Sequence, residues 1–165
     1  GEVLALRWED INTQWRGLTI RDKVEGERVI PLTPYVWHLL AALPRRSEWV
    51  FAGATREPGK AAQPIAKPHH AHATACKVAA IEGLTFHGLR RSFRSLTEWL
   101  EIPAGVVAQI QGHKPSATAE KHYTVRPLDL LRLHHERIEA WILEQAGIVF
   151  DAKAAPGALR VVQAA

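Results

Sequence analysis

The spacing of apolar and polar positions changes along the chain, and each change predicts an element. Gly1-Glu2-Val3-Leu4-Ala5-Leu6 reads as the end of a helix already under way, closed by Trp8-Glu9-Asp10 with no cap before it. Two β-branched runs follow, Gly17-Leu18-Thr19-Ile20 and Arg28-Val29-Ile30-Pro31-Leu32. They flank the polar, Gly-containing stretch Asp22 to Glu27, which predicts a hairpin. Thr33-Pro34 then starts a helix with a capping residue and an early proline, its apolar face being Val36, Leu39, Leu40 and Leu43. Trp49-Val50-Phe51 is a candidate third strand, and 52–68 is a Gly-, Pro- and Lys-rich loop.

The rest of the pattern is helical. A helix is expected over about 69–81. The stretch 86–100 is amphipathic through Leu89, Phe93, Leu96, Trp99 and Leu100. Pro103 opens a helix carrying Val106, Val107 and Ile110 and ending at Gly112, and Ser116 can cap a short one over 117–122. Pro127 opens the longest, about 128–145, which Gly147 stops. The fold class expected is mainly α with a small antiparallel β-sheet near the N-terminus (α+β). Residues 1–146 form one domain and 147–165 a tail with two weak apolar patches around an Ala/Gly/Pro spacer.

Composition narrows the classes. The 165 residues are 47% hydrophobic, enough to build a core. A net charge of +4 permits a polyanionic partner without demanding one. Cys76 is the single cysteine, which precludes an intrachain disulfide or a Cys-based zinc site and suits a reducing cytoplasm. No apolar run reaches the roughly 20 residues of a membrane helix, so no membrane partner is expected. The chain contains no methionine, which suggests a piece of a longer protein.

Several polar residues stand out beside these patterns. His87 and Arg90 lie three apart at a helix start and so share a face. Gly112-His113 follows an apolar helix, and Tyr123 has polar flanks. Individually each has an ordinary explanation as a surface or half-buried residue, as does Lys23 in the hairpin turn. His69-His70-x-His72 and His134-His135 lack a convincing Cys or carboxylate set, so no metal or other cofactor is expected.

The order of these residues resembles the catalytic domain of the tyrosine recombinases, the phage integrase family. Gly1 to Ile11 resembles the segment after that family's first catalytic arginine. Arg28-Val29-Ile30-Pro31-Leu32 resembles the second hairpin strand, which puts Lys23 at the catalytic lysine. Phe86-His87-Gly88-Leu89-Arg90-Arg91-Ser92-Phe93 resembles the second arginine box. Gln109-Ile110-Gln111-Gly112-His113-Lys114-Pro115-Ser116 through His122-Tyr123 resembles the third box and nucleophile. The resemblance covers about residues 1–146. Family members usually carry Leu or Met in place of Gln111, and often Asp or Thr near Gly88 and Ser92. The first arginine would lie two residues before Gly1, and Arg7 does not take its place.

The resemblance implies metal-free strand cleavage of double-stranded DNA. Tyr123 would attack a phosphate, form a 3′-phosphotyrosyl link and release a 5′-hydroxyl, conserving the phosphodiester energy. Charge building on the nonbridging oxygens calls for preorganised donors, the roles implied for Arg90 and His113. Lys23 would protonate the leaving oxygen, and His87 would assist proton transfer at the phenol, whose ordinary pKa is about 10. Arg21, Arg28, Lys67, Arg91 and Lys114 are candidate phosphate contacts. Losing one clamp costs about 3 kcal/mol, so without the first arginine the chain is expected to bind DNA weakly and cleave it poorly.

In the family the segment after the nucleophile helix often packs on a neighbour in a recombining tetramer. Residues 147–165 suit that role or that of a frayed tail, and the chain alone is expected to be monomeric. Expected localisation is the bacterial cytoplasm, at the nucleoid during action. Three other readings stay open: a non-catalytic helix-turn-helix module built from 87–101 and 103–111, a degenerate integrase remnant, and a type IB topoisomerase-like relaxase.

Overall fold

The computed structural model describes residues 2–22, 26–55, 59–113 and 126–153. The expected Lys23 turn, the short helix after Ser116, Lys114, Tyr123 and the tail beyond 153 lie outside the described residues. In chain order, two 3-10 turns, Val3–Ala5 and Trp8–Asp10, lead into strands β1 (Ile11–Asn12), β2 (Gly17–Asp22) and β3 (Gly26–Pro31). Helices α1 (Pro34–Ala41), α2 (His69–Val78), α3 (Phe86–Glu98), α4 (Ala104–Gln111) and α5 (Leu128–Gln145) follow. The described part is therefore α+β, helical apart from one antiparallel sheet of order β1-β2-β3.

The structure departs from one expectation about the sheet and one about the start. The third strand is Ile11–Asn12, paired with Gly17 and Leu18, whereas Trp49 makes only an isolated bridge with Arg7. The opening segment is no helix end. Leu6 and Arg7 are extended between the 3-10 turns, which lets Leu6 O accept from Val50 N at 2.9 Å. Leu6 thereby enters an apolar cluster with Ile20, Leu32, Leu40 and Val50 under the sheet.

A second cluster lies among the helices: Leu100, Ile102, Val106, Val107, Ile110, Leu131 and Ile138, with Phe93, Trp141 and Ile142 against it. Helix α5 packs on both β3 and α4 and so joins the two halves. It is also latched to the sheet by Arg132, which donates to the carbonyl of Trp15, and by the Arg16–Glu136 ion pair at 3.3 Å. The amphipathic faces are narrower than the spacing suggested. Leu89 and Trp99 of the 86–100 stretch are 48% and 79% exposed, and only Phe93 and Leu100 join the core. Helix α2 stops at Val78, three residues early, and Ala80 adopts a left-handed φ of 53°.

Helix α1 is capped from a distance. Thr33 occupies the N-cap position, yet its side chain makes no capping bond. Instead Glu139 of α5 accepts from the Tyr35 and Val36 amides at 3.0 and 3.2 Å. A carboxylate there satisfies two orphan donors and complements the positive end of the helix.

Candidate functional site

Helix α3 presents the first part of the site. Thr85 caps it, its hydroxyl accepting from the Gly88 amide at 2.9 Å, so His87 and Arg90 emerge from the first turns. Both are exposed. One turn further on the same face stands Arg94, also exposed, which the sequence reading passed over.

The end of α4 supplies the second part. Gly112 has φ 70°, a left-handed conformation that a glycine adopts without strain. His113 N bonds to Ala108 O at 2.8 Å and Gly112 N to Gln109 O at 3.0 Å, the paired bonds of a Schellman turn. This turn sets where the His113 ring leaves the helix.

The two parts are bolted together. Arg90 Nη2 donates to Gln111 O at 2.6 Å, and Gln111 Nε2 donates back to Arg90 O at 2.8 Å. Gln111 is buried, and the bond from its Nε2 to Arg90 O is what lets an amide stand where family members usually carry an apolar residue. The bond uses one arm of the Arg90 fork and leaves further N–H donors for a ligand. His113 senses this surrounding. Its pKa is lowered, first by desolvation, then by the positive charges of Arg90 and Arg94.

The other expected cations divide. Arg21 is committed to carboxylates, contacting Asp10, Glu9 and Glu27, and becomes more basic chiefly through its hydrogen bond to Asp10. Arg28 turns inward. It pairs with Glu2 at 2.9 Å, and its guanidinium lies against Gly112 where a Cβ at that position would sit. Arg91 and Lys67 are exposed. Nothing among the described residues ties Lys67 to the site.

The histidine clusters do other things. His69 and His72 pack their rings on Phe86, and Cys76 Sγ lies 3.4 Å from His72 Nδ1. His135 packs edge-on against Phe93 inside the fold, with ring centroids 6.0 Å apart. Among the described residues no group of three or more His, Cys, Asp or Glu is placed to hold a metal, and no helix is long and apolar enough to cross a membrane.

The sequence pattern of the phage integrase family matches residues 1–127, a span that includes the hairpin, both halves of the bolted site and Tyr123. The chain belongs to the phage integrase family. It is 51% identical over 154 residues to the prophage integrase IntF of Escherichia coli (strain K12), covering 89% of this chain and 32% of that protein. The integrase chain thus spans about a third of that relative's length. No solved structure matches it. The resemblance to the family implies a phosphate-facing role for Arg90 and His113. The Arg90–Gln111 bolt and the inward turn of Arg28 are what the three-dimensional arrangement adds.

Proposed function

We propose that this chain is the catalytic region of a site-specific DNA recombinase that integrates or excises DNA by strand cleavage and rejoining. The observation that carries the reading is the Arg90–Gln111 bolt. It joins the helix that carries the Arg90 guanidinium to the helix end that carries the His113 imidazole. Two donors fixed in that way suit the nonbridging oxygens of a phosphodiester whose negative charge grows in the transition state.

In this mechanism the phosphate docks on Arg90, whose planar fork matches two oxygens, and His113 donates a further hydrogen bond. Its lowered pKa leaves the ring neutral at neutral pH, so it donates through one N–H without needing to lose charge. The Tyr123 phenol attacks phosphorus, and its proton is taken up with help from His87. The P–O5′ bond breaks and Lys23 protonates the departing oxygen. A 5′-hydroxyl from a partner strand then reverses the steps and frees Tyr123. Arg91, Lys67 and Lys114 supply backbone contacts to double-stranded DNA, and a homotetramer on two duplexes supplies the exchanging strands.

The experiment replaces Tyr123 with Phe in the protein that carries this chain and assays plasmids bearing DNA from either side of its gene. Strand exchange is expected to vanish while DNA binding persists. Exchange by Tyr123→Phe, or binding with no exchange by the unaltered protein, refutes the reading in favour of a binding module. Relaxation of plasmids without partner sites points to a relaxase instead.

A further inference from the structure

We infer that Arg28 is a positioning residue of the integrase reaction: from β3 it seats the Gly112–His113 turn and ties that turn to Glu2. The inference rests on the function proposed above and concerns the placement of its phosphate donor.

Three observations carry it. The guanidinium of Arg28 fills the space beside Gly112 that any other residue's Cβ would need. Its side chain is only 23% exposed and pairs with Glu2 at 2.9 Å, so it cannot swing away without breaking an ion pair. The turn it seats is also held by Arg90, through the Gln111 carbonyl. The C-terminal end of α4 thus meets two guanidinium groups, the polarity that a helix C-terminus favours.

The consequence is geometric. Glu2, Arg28 and Gly112 come from three separate stretches, the opening segment, the hairpin and the third box. Arg28 joins them in one contact. It sits in the hairpin strand five residues after Lys23, the implied proton donor, and touches the turn that carries His113, the implied phosphate donor. Fixing one relative to the other matters because a displacement of about 1 Å can cost roughly a hundredfold in rate. Gly112 is accordingly required twice, for its left-handed φ and for the room that Arg28 takes.

The test has two arms, both in the full protein. In the first, urea unfolding without DNA compares Gly112→Ala in the unaltered protein and in an Arg28→Ala background. The midpoint loss caused by Gly112→Ala is expected to shrink when Arg28 is removed. An equal loss in both backgrounds overturns the seating contact. In the second, single-turnover cleavage of nicked suicide duplexes at saturating DNA is measured for Arg28→Ala, Arg28→Lys, His113→Ala and the Arg28→Ala/His113→Ala pair. Arg28→Ala is expected to slow cleavage by about tenfold or more with little change in DNA affinity, and to add little once His113 is gone. Arg28→Lys keeps the Glu2 pair but not the planar fork and falls between. Additive losses, or a loss of affinity alone, overturn the positioning role. If the unaltered protein forms no covalent complex, the proposed function fails and the positioning role with it, while the unfolding arm still decides the contact.

Discussion

Arg90 and Gln111 exchange hydrogen bonds in both directions, side chain to main chain, at 2.6 and 2.8 Å. The pair locks α3 to the end of α4 and makes Gln111 a structural part of the site. Because Gln111 is buried, Gln111→Ala removes both its packing and the donor to Arg90 O. It should destabilise by about 1–3 kcal/mol. Gln111→Leu keeps the volume and should cost less. Urea unfolding midpoints of the two variants check this; equal or negligible losses would contradict it.

The remote cap on α1 makes a second prediction. Glu139→Ala leaves the Tyr35 and Val36 amides without their carboxylate and should lower stability by about 1 kcal/mol. Glu139→Gln keeps an acceptor and should lose less. Thr33→Ala should lose little through capping, since the Thr33 side chain makes no capping bond. Thermal melts of the three variants separate these cases.

Ile138 is 1% exposed at the centre of the helical cluster. Ile138→Ala should cost about 2–5 kcal/mol, because the surrounding helices cannot fully close the cavity. Leu133→Ala, on the same helix but 66% exposed, should cost far less. Chemical denaturation of both variants is the check.

Acid should weaken the fold in a defined window. Burial pushes the His135 pKa down, partly opposed by Glu139 and the Pro31 carbonyl. His113 is lowered as well, by desolvation and then by Arg90 and Arg94. Unfolded histidines take up protons near pH 6.5, before these two do in the folded state. The unfolded state therefore binds more protons in that range, and stability falls as pH drops below about 6.5 while being fully present above it. Urea midpoints at pH 7.5 and 5.5 should differ, and His135→Phe should flatten the difference. An unchanged slope would contradict the assignment.

Much of this was legible in the sequence because local signals were strong. Pro103 and Gly112 bracket α4, Pro127 and Gly147 bracket α5, and β-branched runs mark β2 and β3. The errors arose where tertiary contacts overrode local pattern. Leu6 looks helical but is drawn out by its bond to Val50, and Trp49 looks like a strand but finds only Arg7. At the site, spacing put His87 and Arg90 on one face. The i, i+4 relation of Arg90 to Arg94 was equally readable and was missed. The inward turn of Arg28 was not readable, because Glu2 and Gly112 meet it only in the folded chain.

The central claim is that Tyr123 links covalently to DNA. The most direct measurement is peptide mapping by mass spectrometry of the protein trapped on a nicked suicide duplex. One adduct is expected, a 3′-phosphate ester on the Tyr123 oxygen, absent when Arg90 is replaced by Ala. An adduct on another residue, or on a 5′-phosphate, would contradict it.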